Sequence, residues 1–169
     1  MSYKEHENEA LKLSSMGFAV VTISDTRTKE NDESGEIIMK SVEDTNNKTE
    51  YYNIVKDDIK DVKDEIKKLL SFNKIQIIIT NGSTGIGSRD IAVEAIKPLL
   101  EKELPGFGEL FRMLSYQEIG SASMLSRAFA GVANKKLIFC LPGSKKAVKL
   151  AIEKLILPQA KHLIWSLQR

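Results

Sequence analysis

The stretch from Lys74 to Asp90, reading Lys-Ile-Gln-Ile-Ile-Ile-Thr-Asn-Gly-Ser-Thr-Gly-Ile-Gly-Ser-Arg-Asp, constrains the fold more than any other part of the chain. A β-branched apolar run breaks off into a loop of small, polar and glycine residues. A helical apolar pattern follows at Ala92, Ala95, Ile96, Leu99 and Leu100. A buried strand, such a loop and then a helix is how α/β proteins build an anion site at the carboxyl edge of a sheet. Glycines admit left-handed backbone, so successive N–H groups can converge on phosphate oxygens, and Thr80, Asn81, Ser83 and Thr84 add side-chain donors. Ordinary strand-to-helix connections are shorter and less polar, so the anion site is the better reading.

The loop is not a common phosphate loop. No lysine follows Gly85 or Gly87, so the Walker pattern is absent. Asp90 stands where a dinucleotide fingerprint needs its third glycine, which argues against a nicotinamide or flavin enzyme. At the expected helix start, Asp90 either caps backbone N–H groups or holds a cation against a phosphate. The sequence leaves both open.

Three runs, residues 18–23, 75–80 and 137–141, are nearly continuous in apolar character, as strands buried on both faces of a parallel sheet should be. A fourth, residues 51–55, is less so. Helical patterns lie between them: residues 34–42, with Ser34 as the cap, and residues 58–70, with Ile59, Val62, Ile66 and Leu69 on one face. Residues 98–132 read as two or three short helices, including 110–116 and 122–130. A helix over 144–156 and another opening at Pro158 close the chain. This alternation predicts an α/β fold, a three-layer α/β/α sandwich with a mostly parallel central sheet. With 169 residues, 42% hydrophobic, it is one domain over 17–169 with an N-terminal arm over 1–16. The arm is either flexible or a short helix bringing Leu11 and Leu13 onto a neighbour.

Several functions are excluded. A formal net charge of +2 calls for no nucleic-acid partner. The single cysteine, Cys140, sits in an apolar run and packs as a small hydrophobe, so no internal disulfide can form. His6 and His162 are far apart, which leaves no zinc cluster. The polar opening residues resemble neither a signal nor a transit peptide, and no segment approaches a membrane span. A soluble, cytoplasmic protein is expected.

Ligands of open parallel sheets bind beyond the carboxyl ends of the strands. The first strand is followed by Ser24-Asp25-Thr26-Arg27, the second by Lys56-Asp57-Asp58. The third leads into the glycine loop with Arg89 and Asp90, the fourth into Pro142-Gly143-Ser144-Lys145-Lys146. Singly, each is readable as a turn or a helix cap. Four such loops on one edge make that reading weaker jointly. Arg89, Lys145, Lys146 and the glycines suit an anion, which Asp25, Asp57 and Asp90 would repel unless a cation lay between. Carboxylates beside a polyphosphate site commonly hold hydrated magnesium, so chemistry on a nucleoside triphosphate follows as an expectation.

The chain also resembles the molybdopterin adenylyltransferase family, the MoaB/MogA proteins and the related domain of gephyrin. The resemblance runs from residue 17 to about 161. It is carried by Ser24-Asp25, Thr80-Asn81-Gly82-Ser83-Thr84-Gly85 with Arg89-Asp90, Leu104-Pro105-Gly106-Phe107-Gly108-Glu109, Met124-Leu125-Ser126-Arg127-Ala128, and Leu141-Pro142-Gly143-Ser144 with Lys146-Ala147-Val148. It implies transfer of AMP from ATP to the terminal phosphate of molybdopterin with release of pyrophosphate, in molybdenum or tungsten cofactor synthesis. It implies Asp57 and Asp90 as the catalytic, magnesium-holding pair. The substrate-binding set implied is Ser24, Asp25, Asn81, Gly82, Ser83, Thr84, Gly85, Arg89, Glu109, Ser126, Arg127, Pro142, Gly143 and Ser144. A homotrimer or homohexamer, and a downstream metal-insertion protein as partner, are implied as well.

The chain departs from the family pattern at Asn81 and Ser83, where the loop usually has Thr and Gly. It departs again at Ala92-Val93, where Thr-Pro is usual, and at Lys145, where proline is common. Two other readings therefore stand beside the enzyme: a pterin-binding scaffold without catalysis, and a nucleotide-processing enzyme on the same fold, as in competence-damage-type proteins.

Overall fold

The computed structural model describes residues 13–169. Six strands form one sheet in the order β2-β1-β3-β6-β5-β4. The strands are β1 (Gly17–Ile23), β2 (Lys48–Val55), β3 (Ile77–Asn81), β4 (Lys102–Glu103), β5 (Phe129–Ala133) and β6 (Lys136–Leu141). The pairings β2–β1, β1–β3 and β3–β6 are parallel, with Val20 opposite Ile79 and Ile79 opposite Phe139. As the apolar runs predict, β1, β3 and β6 are central neighbours, and every residue of the three is buried.

The helices are α1 (Glu33–Glu43), α2 (Ile59–Leu70), α3 (Ala92–Ile96), α4 (Pro105–Ile119), α5 (Lys145–Ala151) and α6 (Leu157–Gln168). Strand side chains alternate between the two faces of the sheet. Phe18, Val20, Ile77, Ile79, Leu137 and Phe139 pack with Ile38 of α1, Phe107 and Phe111 of α4, and Val148 and Ile164 of the C-terminal helices. Ala19, Val21, Ile78, Ile138 and Cys140 pack on the opposite face with Val62, Ile66 and Leu69 of α2 and Ala92, Ala95 and Ile96 of α3. Two cores around one sheet make the expected three-layer sandwich. No helix among the described residues is long and apolar enough to cross a membrane.

The local chemistry accounts for most boundaries. Asp58 opens α2, its carboxylate accepting from Lys60 N at 2.8 Å and Asp61 N at 3.0 Å. The cap of α1 is not Ser34 but Asp32, which accepts from Gly35 N at 3.0 Å, while Ser34 Oγ donates to the Gly143 carbonyl at 2.8 Å. Pro105 takes the first turn of α4, which runs on to Ile119 as one long helix. The stretch 122–130 is not a helix: a 3₁₀ segment, Gly120–Leu125, leads into β5. Strand β5 pairs antiparallel with β6 through the two-residue turn Asn134-Lys135, both at positive φ of 48° and 56°. Pro158 falls in the first turn of α6, as expected, but no loop precedes that helix. It has no N–H to offer the Lys154 carbonyl, and the π-helical turn Ile152–Ile156 carries α5 into α6 without a break.

Of the residues set apart as an arm, Leu13 and Met16 pack against the core, and Met16 N donates to Asn47 Oδ1 at 3.0 Å. Leu11 lies outside the described residues.

Candidate functional site

A cavity of about 630 Å³ opens off the carboxyl ends of β1, β2 and β3. Its wall includes Ser24, Asp25, Arg27, Asp32, Asp57, Asn81, Gly82, Ser83, Arg89, Asp90 and Gly143. Parallel strands bring loops distant in sequence to one edge, and the first three strands each contribute carboxylates or donors here.

The first wall is a pair of interlocked turns. Ser24 Oγ accepts from Thr26 N and Arg27 N, both at 3.2 Å, which bends the chain so that Asp25 faces the loop after β2. Asp25 N donates to Asp57 Oδ2 at 3.0 Å, and Asp57 N donates to Asp25 Oδ1 at 3.2 Å. Each aspartate thereby fixes the backbone of the other. Arg89, from the loop after β3, donates to Asp25 Oδ2 and adds a cation to the cavity wall. Its side chain is 76% exposed, which leaves the guanidinium accessible to an incoming anion.

The floor is a buried polar network that the sequence reading missed. Asp32 accepts from Thr22 Oγ1 at 2.5 Å, from Tyr52 OH at 2.7 Å and from Gly35 N. Thr22 Oγ1 in turn accepts from Asn81 Nδ2 at 2.9 Å, so Asn81 sits at the end of β3 rather than in the loop. Burial and the hydrogen bond to Asp32 push the Tyr52 phenol well above its ordinary range. The available signal was Asp32 itself, an N-cap residue type just ahead of an amphipathic helix.

The glycine loop is built differently from the phosphate cradle expected. Gly82, at φ 96°, lies so close to β1 that a Cβ would stand 2.3 Å from the Ile23 carbonyl oxygen. Its N–H donates to Leu141 O at 2.9 Å and so ties β3 to β6 instead of facing a ligand. Ser83 adopts φ 60°, a conformation that glycine takes more readily. Its hydroxyl compensates locally, donating to Arg89 O at 3.2 Å and accepting from Ile91 N at 2.9 Å. The Ser83 carbonyl accepts from Ala92 N at 2.9 Å, so Ser83, not Asp90, satisfies the start of α3. Asp90 instead accepts from Gly87 N at 2.8 Å. Gly85 and Gly87 lack side chains where that carboxylate lies: a Cβ on either would stand 2.6 and 2.9 Å from Asp90 Oδ2.

The remaining predicted residues do not all join this cavity. Glu109, Ser126 and Arg127 line a second one of about 400 Å³, with Lys97, Glu103 and Arg112. Thr84 is buried, and the Gly85 carbonyl accepts from Arg127 Nε at 2.7 Å, so neither lines the first cavity. Ser144 caps α5, accepting from Ala147 N at 3.2 Å, and Pro142 faces neither cavity. Lys145 pairs with Glu33 at 2.8 Å, which holds the Glu33 carboxyl below its ordinary range. The implied substrate-binding set is therefore divided between two cavities rather than gathered in one. Ser24, Gly82, Ser83 and Gly143 meet in the first, whereas Ser126 lines the second.

The chemistry available follows from this arrangement. Asp57 and Asp90 each bind the chain through Oδ2, which leaves Oδ1 to a hard cation, and carboxylate oxygens are the donors magnesium takes. Among the described residues no three His, Cys, Asp or Glu side chains gather into a metal-holding group. Two carboxylates fit magnesium whose other ligands are phosphate oxygens and water. Cys140 offers no nucleophile: burial pushes its thiol up to about 12.

Comparison with known proteins follows the same lines. Residues 19–162 match the family model described as "Probable molybdopterin binding domain". The chain is 44% identical over 170 residues to molybdenum cofactor biosynthesis protein B of Bacillus cereus, covering 100% of this chain and 99% of that protein. A crystal structure of a molybdenum cofactor biosynthesis protein B superposes with a TM-score of 0.90 at 44% identity, covering 92% of this chain and 98% of that one. The tungsten cofactor synthesizing protein MoaB from Pyrococcus furiosus superposes with a TM-score of 0.85 at 36% identity, covering 93% and 99%.

Proposed function

The chain belongs to the MoaB/MogA family of molybdopterin-binding proteins, and we propose that within molybdenum or tungsten cofactor biosynthesis it acts as a magnesium-ATP-dependent molybdopterin adenylyltransferase. One observation carries this reading. Asp57 from the loop after β2 and Asp90 from the loop after β3 open onto one cavity, beside Asp25 and Arg89.

In the proposed reaction an oxygen of the terminal phosphate of molybdopterin attacks the α-phosphorus of ATP. The bond to the β-bridging oxygen breaks, and pyrophosphate leaves with the electron pair. Asp57 and Asp90 would hold the magnesium ion, which neutralises charge on the phosphates when bound. Arg89 would exchange Asp25 for a phosphate oxygen and so free Asp25 as the nucleotide enters. The interlock of Asp25 with Asp57 keeps the metal-facing carboxylate in place without needing to reorganise at the moment of reaction.

Ser83 also supports the enzyme reading over a scaffold. Its hydroxyl is turned into the loop, bonded to Arg89 O and Ile91 N, rather than left as a free obstruction in the cavity. In the cytoplasm, the working form would be a homotrimer or homohexamer that delivers its product to a metal-insertion protein.

The test is incubation with molybdopterin, ATP and magnesium, followed by assay for adenylylated pterin and pyrophosphate. Asp57→Asn and Asp90→Asn keep shape but remove charge, and each should lower the rate on the order of a hundredfold or more while pterin binding changes little. Near-normal turnover in both variants would sink the magnesium role. Pterin binding by the wild-type protein without any product would establish the scaffold reading instead.

A further inference from the structure

Arg127 lines the second cavity, yet its guanidinium is taken up by the protein itself. Nε donates to Gly85 O at 2.7 Å and Nη2 to Asp90 O at 3.2 Å. Nη1 and Nη2 pair with the two carboxylate oxygens of Glu94 at 2.5 and 3.3 Å. Its backbone N–H donates to Thr84 O at 3.1 Å. The loop between Thr84 and Asp90 is thus held from both sides. Arg127 grips its carbonyls from the side of the second cavity, and the Asp90 carboxylate grips Gly87 N from the side of the first. Glu94 stands on α3, the first helix after the loop, so the fork of Arg127 also joins the loop to a rigid element.

From this geometry we infer that Arg127 is a positioning residue and not a substrate contact: with Glu94 it fixes the backbone that aims Asp90 into the first cavity. The inference rests on the proposed role of Asp90, but the hold on the loop is a property of the free protein. A planar guanidinium with one N–H on each of two carbonyls and a bidentate carboxylate pair specifies an orientation that an ammonium cannot reproduce. Arg127→Lys keeps the charge and loses the fork. Glu94→Gln keeps an acceptor and loses the charge.

The experiment reads two quantities. Amide hydrogen exchange of Gly87, measured without ligand, reports whether the loop still closes on Asp90, and global stability is followed in parallel by urea unfolding. Turnover with ATP, magnesium and molybdopterin is then resolved into kcat and KM. For Arg127→Lys, Gly87 exchange should rise tenfold or more while global stability holds. The value of kcat should fall about tenfold, with KM for both substrates within threefold. Glu94→Gln should shift both readouts in the same direction by less, and it serves as the test if Arg127→Lys unfolds. Exchange of Gly87 within twofold of wild type in both variants would overturn the inference. So would a tenfold loss of pterin affinity with exchange unchanged, which would make Arg127 a ligand contact. If the wild-type protein transfers no nucleotide, the enzyme reading fails on its own, and the exchange measurement still decides the role of Arg127.

Discussion

Asp32 shows how much a single buried carboxylate can organise. It is 5% exposed, yet its three partners are all neutral donors, from β1, β2 and the first turn of α1. Asp32→Asn replaces an acceptor oxygen by an amide that cannot accept, leaving at least one buried donor without a partner. The expected loss is about 2 kcal/mol, read as a lower urea midpoint at unchanged slope. Ultraviolet titration should also show the Tyr52 phenol moving down toward its ordinary range, because after burial the hydrogen bond to the Asp32 carboxylate and its charge are the next causes of the shift. Most polar residues that line the first cavity were legible in the chain, because the ends of parallel strands define where to look. Which cavity each predicted residue faces was not. Ser126 and Arg127 line the second cavity, where Arg127 is held to the carbonyls of Gly85 and Asp90, and sequence spacing carries no record of that.

At the level of elements, β1, β3 and β6 were legible because strands buried on both faces need apolar residues at every position. Strand β5 was not. Its Ala130, Gly131 and Ala133 are small residues chosen for close packing: a Cβ on Gly131 would stand 2.5 Å from the Lys102 carbonyl oxygen of β4. Alanine in sequence reads as helix, and only the neighbouring strand reveals the requirement. The opposite end of the sheet from the cavity has its own fastening. Lys136, 8% exposed at the start of β6, donates to Phe72 O at 2.8 Å and Ile75 O at 2.6 Å, closing the turn that follows α2. Burial lowers its pKa, but two carbonyl acceptors at helix and loop ends still receive its protons. Lys136→Met fills similar volume and abandons both acceptors. It should cost about 2 kcal/mol in chemical denaturation and leave substrate binding unaltered, since the site lies at the other edge.

At the scale of the whole molecule, exposed apolar side chains among the described residues gather on α4, outside either core. Leu110, Met113, Tyr116 and Ile119 recur at three-residue spacing on α4, and Met124 and Leu125 extend the patch. Tyr116 is 63% exposed and Met124 78%. Contiguous apolar patches of this kind mark contact surfaces, which supports the proposed self-association. Met113→Glu and Tyr116→Glu should together shift the protein to a smaller species in light scattering, with far-ultraviolet circular dichroism unchanged. An unchanged molar mass would assign the patch to another partner.

The margins of the sheet decide what form any such assembly can take. Strand β4 is two residues long, so that margin offers almost no unpaired backbone for another chain to copy. At the other margin, β2 begins with exposed Lys48 and Glu50, charges that discourage a foreign strand from docking in register. Growth by strand addition is thus discouraged at both margins. Self-association of the kind proposed would therefore run through side chains, such as the exposed apolar residues of α4, rather than through a continued sheet.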